Sequence, residues 1–234
     1  MGNKIIKEFR SNVDGFKTEY IKKGIANITR LCQVYGRYMH ELEPLLLPMT
    51  TILRFDFASF RREQWLIGPT YGILSMQLYI EETDFEKLKD DEKIVFISDL
   101  IVEYLCRLFD LYGLDTQRIY DAQAKIQANG FYIKHQEHKN RSCKTVCWLE
   151  SLNGYSENKY RLAYQNLGEE VRKIVFFTQQ HYDAILWKKL DIHEILLIPQ
   201  FFKELKWKNK NEFVMVWGND RYVFNLQNEE IIKS

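Results

Sequence analysis

A chain of 234 residues with 46% hydrophobic and 15% aromatic residues has ample apolar material for a buried core. Only 4 prolines and 11 glycines exclude a Pro/Gly-rich disordered chain, and a net charge of +1 excludes a global field that would steer it to nucleic acid or to anionic lipid. No run approaches the ~20 apolar residues of a membrane span, and the charged stretch Met1–Arg10 has no apolar signal-peptide core, so a cytoplasmic protein is expected.

In chain order, Ile21, Ile25, Ile28, Cys32, Tyr35, Met39 and Leu42 recur at alternating spacings of four and three. That pattern predicts one helix over roughly residues 16–42, ended before Pro44. Gly24 and Gly36 inside it each cost about 1 kcal/mol relative to alanine, so packing must hold it. Leu53, Phe55 and Phe57 alternate with Arg54 and Asp56 and predict a half-buried strand. Gly68-Pro69 punctuates a loop, and Leu74 to Ile80 predicts a second strand, the antiparallel partner of the first. A helix is expected from Asp90-Asp91-Glu92 through Ile94, Ile97, Ile101, Leu105 and Leu108 to Gly113. A second follows between Asp115, as N-cap, and Gly130, with Ile119, Ala122 and Ile126 inward.

Further on, Lys144–Ser151, Lys159–Gln165 and Val171–Thr178 read as short strands. A helical piece is placed at Tyr182–Leu190 or Ile192–Leu205, divided by Pro199. Glu212–Trp217 and Arg221–Gln227 flank Gly218-Asn219-Asp220 as a hairpin. This order is not a repeating βαβ, so the expected class is α+β. An antiparallel sheet should pack with several helices, the N-terminal half helix-rich and the C-terminal half strand-rich. The whole, 1–234, reads as a single domain, with any subdivision falling near 130–143.

For chemistry, the sequence holds no G-x-G-x-x-G, Walker A, G-x-S-x-G or H-E-x-x-H motif, and no cofactor is expected. Four cysteines in a chain this long do not make a disulfide framework. His135, His138, Cys143 and Cys147 form the best metal-like set. If 143–147 is a strand, the two cysteine α-carbons stand about 13 Å apart and cannot chelate one zinc, so no metal is expected. His135 to Ser142 reads as a polar loop leading into a strand. Cys147 beside His181 or His193 would make a nucleophile pair, a pairing any cysteine and histidine could offer.

Charge is uneven along the chain: residues 1–48 carry +3, 49–130 carry −5 and 131–234 carry +3. The acidic middle centres on Glu81, Glu82, Asp84, Glu86, Asp90, Asp91 and Glu92, against only Lys87 and Lys89. A solvated helix start is the plain explanation of such a run, and an exposed partner surface the functional one. Between Phe201 and Tyr222, Lys203, Lys206, Lys208, Lys210 and Arg221 mix with Trp207, Trp217 and Tyr222. Basic groups among aromatics suit nucleic acid, though Phe201, Phe202 and Leu205 read as core.

The acidic Glu81–Glu92 run together with Leu205-Lys206-Trp207 and Glu212-Phe213-Val214-Met215-Val216-Trp217 resembles, in general style, the immunity proteins of bacterial toxin systems. That resemblance implies a stoichiometric inhibitor that occludes a toxin and has no chemistry of its own. The partner expected is therefore another protein, a cognate toxin, with no membrane and with nucleic acid the weaker reading. Glu81, Glu82, Asp84, Glu86, Trp207, Trp217 and Tyr222 are the expected contact residues. The alternative is an enzyme or nucleic-acid-binding protein whose site is assembled from dispersed residues, with the basic-aromatic segment 201–222 as its binding stretch.

Overall fold

The four-three apolar pattern between Ile21 and Met39 forms a buried stripe, but on two helices instead of one. In the computed structural model, which describes residues 2–41, 43–180 and 202–234, α1 spans Glu19–Ile28 and α2 Leu31–His40. Ile25, Ile28, Tyr35 and Met39 are all buried as the spacing predicts. The break falls at Thr29–Arg30. The Thr29 hydroxyl donates to the Ala26 carbonyl at 3.0 Å, and the backbone bonds then tighten, Cys32 N reaching Thr29 O and Gln33 N reaching Arg30 O at 3.0 Å each. A threonine hydroxyl that takes a carbonyl of the preceding turn competes with the helix ladder.

The two helical glycines have a packing reason. A Cβ at Gly24 would overlap the Tyr155 ring, and one at Gly36 would overlap the Phe9 ring. Each glycine gives up helix propensity so that an aromatic ring can lie against the helix backbone.

The chain divides into two compact units, Met1–Phe131 with Asn153–Ser156, and Tyr132–Leu152 with Glu157–Ser234. In the first, β1 (Asn3–Ile5) and β3 (Leu46–Pro48) make a short antiparallel pair. The main sheet has the order β2 (Glu8–Asp14), β4 (Ile52–Ala58), β6 (Ile73–Tyr79) and β5 (Leu66–Thr70). Here the expected antiparallel pairing of the Leu53 and Leu74 strands is corrected: β4 pairs parallel with both β2 and β6. The reason is connectivity. Helices α1 and α2 carry the chain from the end of β2 back to the start of β4, the crossover a parallel pair needs. From β4 the chain then returns through β5, which takes the outer place beside β6 and pairs antiparallel with it. Gly68-Pro69 is thus not a loop but part of edge strand β5, inside a register shift between Ile67 and Thr70, where a missing N–H is tolerated.

Registers set the rows Phe9–Leu53–Leu74 and Val13–Phe57–Leu78 on one face of this sheet, and Asn12–Asp56–Gln77 on the other. After β6 come α3 (Glu82–Lys87), α4 (Asp90–Tyr112) and α5 (Gln117–Ala128). The predicted inward residues Ile97, Ile101, Leu105, Leu108 and Ile119 are buried, and Gly113 ends α4 at φ 63°. Tyr35 of α2 and Ser98 of α4 share a hydroxyl hydrogen bond of 2.7 Å. No helix of the described residues is long and apolar enough to cross a membrane.

The second unit is built from two antiparallel four-stranded sheets. One contains β7 (Ile133–Asn140), β8 (Thr145–Asn153), β9 (Glu157–Asn166) and β10 (Arg172–Gln180), in the order β10-β9-β8-β7. The other runs β11 (Phe202–Trp207), β12 (Glu212–Trp217), β13 (Asp220–Asn225), β14 (Glu230–Lys233) in simple succession. The β12–β13 hairpin is the predicted one. Two expectations are corrected: most of the His135–Ser142 stretch is strand β7, and Phe202–Leu205 belongs to strand β11, not to a helix. The rest of that helical piece lies outside the described residues.

Cys147, Leu149, Tyr160, Leu162 and Tyr164 of the first sheet share one core with Phe202, Phe213, Met215, Tyr222 and Phe224 of the second. A β-bulge between Val175 and Phe177 lets both Phe176 and Phe177 pack on that core. At one edge the Trp207 indole donates to His138 O at 3.0 Å. At another, Arg172 pairs with Glu229.

Candidate functional site

Of the residues singled out for metal or nucleophile chemistry, the fold sets His138 opposite Cys147 but gives His135 and Cys143 other partners. Cys147 lies in β8 inside the core, opposite His138 of β7. Cys143 is in the turn before β8, with its thiol 3.3 Å from the Lys210 carbonyl, and His135 contacts the Ser151 hydroxyl at 2.8 Å. Among the described residues no group of three or more His, Cys, Asp or Glu side chains could hold a metal ion. Burial pushes the Cys147 thiol far above its ordinary range and lowers the His138 imidazole, the opposite of the shifts that an activated thiolate–imidazolium pair needs. His181 and His193 lie outside the described residues.

The expected contact residues divide sharply. Tyr222 is buried, and Trp217 turns inward, 5.5 Å from Tyr160 and 5.0 Å from Phe202. Trp207 packs 5.4 Å from Phe213. Rings engaged this way in the sandwich core are not a stacking platform for bases, so the basic-aromatic stretch loses its aromatic half. Glu82 is likewise buried, its carboxylate accepting from Lys17 N at 3.1 Å. Tyr222 and Glu82 are therefore corrected from surface to core.

What remains of the acidic run is a two-helix shoulder. Phe85 anchors α3 inward, edge-on to Phe96 at 5.6 Å and to Tyr155 at 5.8 Å. The buried Lys93 ammonium stands 4.2 Å over Tyr155 and 3.6 Å from Asp90. Glu81, Asp84, Glu86, Asp90, Asp91 and Glu92 face outward. Asp84 pairs with Lys87 at 2.8 Å, and Glu92 accepts from Lys89 N at 2.8 Å, which settles the first turn of α4. Glu81, Glu86 and Asp91 make no ion pair among the described residues. Burial, aided by the charges of Glu86, Asp90 and Glu82, pushes the Tyr155 hydroxyl up to about 12.

A second feature was not read from the sequence at all. At the carboxyl ends of β4 and β6 a recess of about 470 Å³ is lined by the Phe60–Trp65 connection, by Ala58, Gln77, Leu78 and Tyr79, and by Leu100, Glu103, Tyr104 and Arg107 of α4. Three arginines lie over rings within it: Arg61 4.7 Å from the Tyr79 centroid, Arg62 5.0 Å from Phe60, and Arg107 4.4 Å from Trp65. Trp65 meets Tyr104 edge-on at 6.0 Å. The connection is pinned at its start, where the Phe60 ring covers Gly15, a residue at φ 76° with no room for a Cβ, and the Ser59 hydroxyl donates to Gly15 O. Below it Asp56 accepts from Gln77 Nε2 at 2.8 Å and pairs with Arg54 at 3.0 Å. A signal existed in Phe60-Arg61-Arg62-Glu63-Gln64-Trp65, a basic-aromatic run between two strands. Arg107 and Tyr104, which complete the recess, come from about forty residues downstream and only the fold brings them in.

Set beside protein-family models, curated proteins and solved structures, the chain matches none of them.

Proposed function

We propose that this chain is a protein-binding module of the bacterial cytoplasm that acts by occupying a partner and not by chemistry of its own, in the manner of an immunity protein that neutralises a toxin. The observation that supports this reading is the α3–α4 shoulder, where six carboxylates face outward from helices anchored by the buried Phe85, Glu82 and Ile94. Charges held on a fixed scaffold lose little freedom on docking. A basic partner surface gains from them chiefly in association rate and salt sensitivity. A toxin that cleaves nucleic acid offers such a surface, because its substrate is itself a chain of negative charge.

The partner is captured by pull-down from the native cell and identified by mass spectrometry. Stopped-flow association is then compared for the wild-type chain and for the triple change Glu81→Lys, Asp84→Lys, Glu86→Lys, leaving the buried Glu82 in place. Association should slow about tenfold or more at low salt, and its dependence on ionic strength should flatten. Unchanged kinetics would return the shoulder to the role of a solvated helix start.

A further inference from the structure

We propose that the recess at the carboxyl ends of β4 and β6 is a binding site for a nucleoside phosphate, a ligand of mononucleotide size. The proposal stands apart from the protein-binding reading and survives its failure.

The state of the three guanidinium groups carries the argument. A guanidinium set over an aromatic ring is steadied by the ring face, while the N–H donors that no other partner uses stay free to meet an anion. Arg61, Arg62 and Arg107 are all placed over rings, and all three are exposed. Their carboxylate partners are distant or absent among the described residues. Asp14 stands 3.7 Å from Arg62 and Glu103 3.9 Å from Arg107, both beyond a charged hydrogen bond, and Arg61 makes no ion pair. Arg61 also meets the Tyr79 hydroxyl, but that partner is neutral, and with the long contacts of Arg62 and Arg107 each fork keeps N–H donors for an anion. Structural arginines of this molecule look different: Arg161 donates to the buried Glu150 at 2.5 Å, and Arg118 reaches Glu43 at 3.1 Å and two backbone carbonyls.

Three forks exceed what one carboxylate can use, since its two oxygens match a single bidentate arginine. A phosphate monoester, with three terminal oxygens and close to two charges, matches the set. Bare phosphate would leave most of the recess empty, because pockets of roughly 300–1,000 Å³ hold drug-sized molecules. The remaining lining combines surface for a flat ring, with Trp65 half-buried, Tyr104 edge-on to it and Ala58, Leu78 and Leu100 apolar, and the polar groups of Glu63, Gln77 and Glu103, which can meet the N–H and O–H donors of a nucleoside. The place also fits, since in open sheets with parallel strands ligands lie beyond the carboxyl ends of those strands.

The test uses the whole chain, labelled with ¹⁵N and titrated with each of the four 5′-ribonucleoside monophosphates, with inorganic phosphate and with a glutamate-rich peptide. At least one mononucleotide should bind at least tenfold more tightly than inorganic phosphate. It should shift the Nε–H signals of Arg61, Arg62 and Arg107 and the indole N–H of Trp65 while leaving those of Arg161 and Trp148 in place. Arg61→Gln and Arg107→Gln should each weaken that binding about tenfold or more, as the loss of a hydrogen bond to a charged group requires. Arg61→Lys, which keeps the charge but loses the fork, should weaken it too. The wild-type signals locate the site even if a variant fails to fold. Absence of mononucleotide binding at millimolar concentration, equal binding of bare phosphate, preference for the acidic peptide, or shifts away from the recess would each overturn the assignment.

Discussion

The two units fill their interiors by different means. In Met1–Phe131 the parallel strands carry aliphatic and phenyl side chains on one face, and helices approach closely enough that Gly24 and Gly36 must yield to the rings of Tyr155 and Phe9. In the second unit two antiparallel sheets meet, and the space between them is filled by rings touching rings: Tyr164 on Phe224 at 4.9 Å, Tyr160 on Trp217 at 5.5 Å, Phe176 on Tyr222 at 5.3 Å. A helix can be brought nearer to a strand by removing a Cβ. Two sheets keep a spacing of about 10 Å, so only long side chains reach across. The same aromatic richness therefore means different things in the two halves: small ring clusters wedged against helices in one, a continuous lattice between sheets in the other.

The largest effect should come from breaking that lattice. Phe213→Ala is expected to cost about 3–5 kcal/mol, measured by denaturant unfolding, with amide protection lost first in β12 and β13. Ile28→Ala in the helical unit should cost about 2–5 kcal/mol and loosen α1 and α2 instead. Should both variants lower protection equally across the chain, the contrast between the units fails.

A smaller effect separates wedge from lattice more finely. Gly24→Ala should destabilise by about 1–3 kcal/mol through overlap with Tyr155, although alanine is favoured by about 1 kcal/mol in an unobstructed helix. Combining it with Tyr155→Leu should recover part of the loss, a coupling that a double-mutant cycle reads directly. A stabilising Gly24→Ala would show that the ring can move aside.

The smallest effect is confined to alkaline solution. Tyr155 is held neutral in the folded chain, its hydroxyl raised to about 12 from an ordinary value near 10. Its contribution to stability is complete below about pH 10, because neither state then ionises it, and is lost as the pH rises toward about 12, where the unfolded chain sheds the proton first. Denaturation measured at intervals from pH 8 to 12 should show this decline, and Tyr155→Phe should make it shallower. An identical slope in the variant would mean that neither burial nor the nearby Glu86, Asp90 and Glu82 charges hold the Tyr155 hydroxyl above its ordinary value.

Read alone, the amino-acid order determined the elements with strong local signatures. The α4 stripe from Ile94 to Leu108, the stop at Gly113, the β12–β13 hairpin and the α+β class follow from periodicity and turn chemistry, which act within a few residues. Even the two costly glycines pointed to packing before their partners were known. Local pattern was silent where pairing decides. Edge strand β7, with the polar sequence Ile-Lys-His-Gln-Glu-His-Lys-Asn, has no alternation to read and is held by its neighbour β8. Parallel pairing of β4 with β6 depends on where β5 is placed, a choice made by connectivity. Among the residues expected at a surface, Tyr222 and Glu82 were drawn inward because tertiary neighbours offered a ring lattice and a backbone N–H. The arginine recess exists only in three dimensions, since the fold alone brings Tyr104 and Arg107 of α4 to the Phe60–Trp65 connection and the end of β6. A side chain's environment is set by the whole fold, and local sequence specifies only which environments it can tolerate.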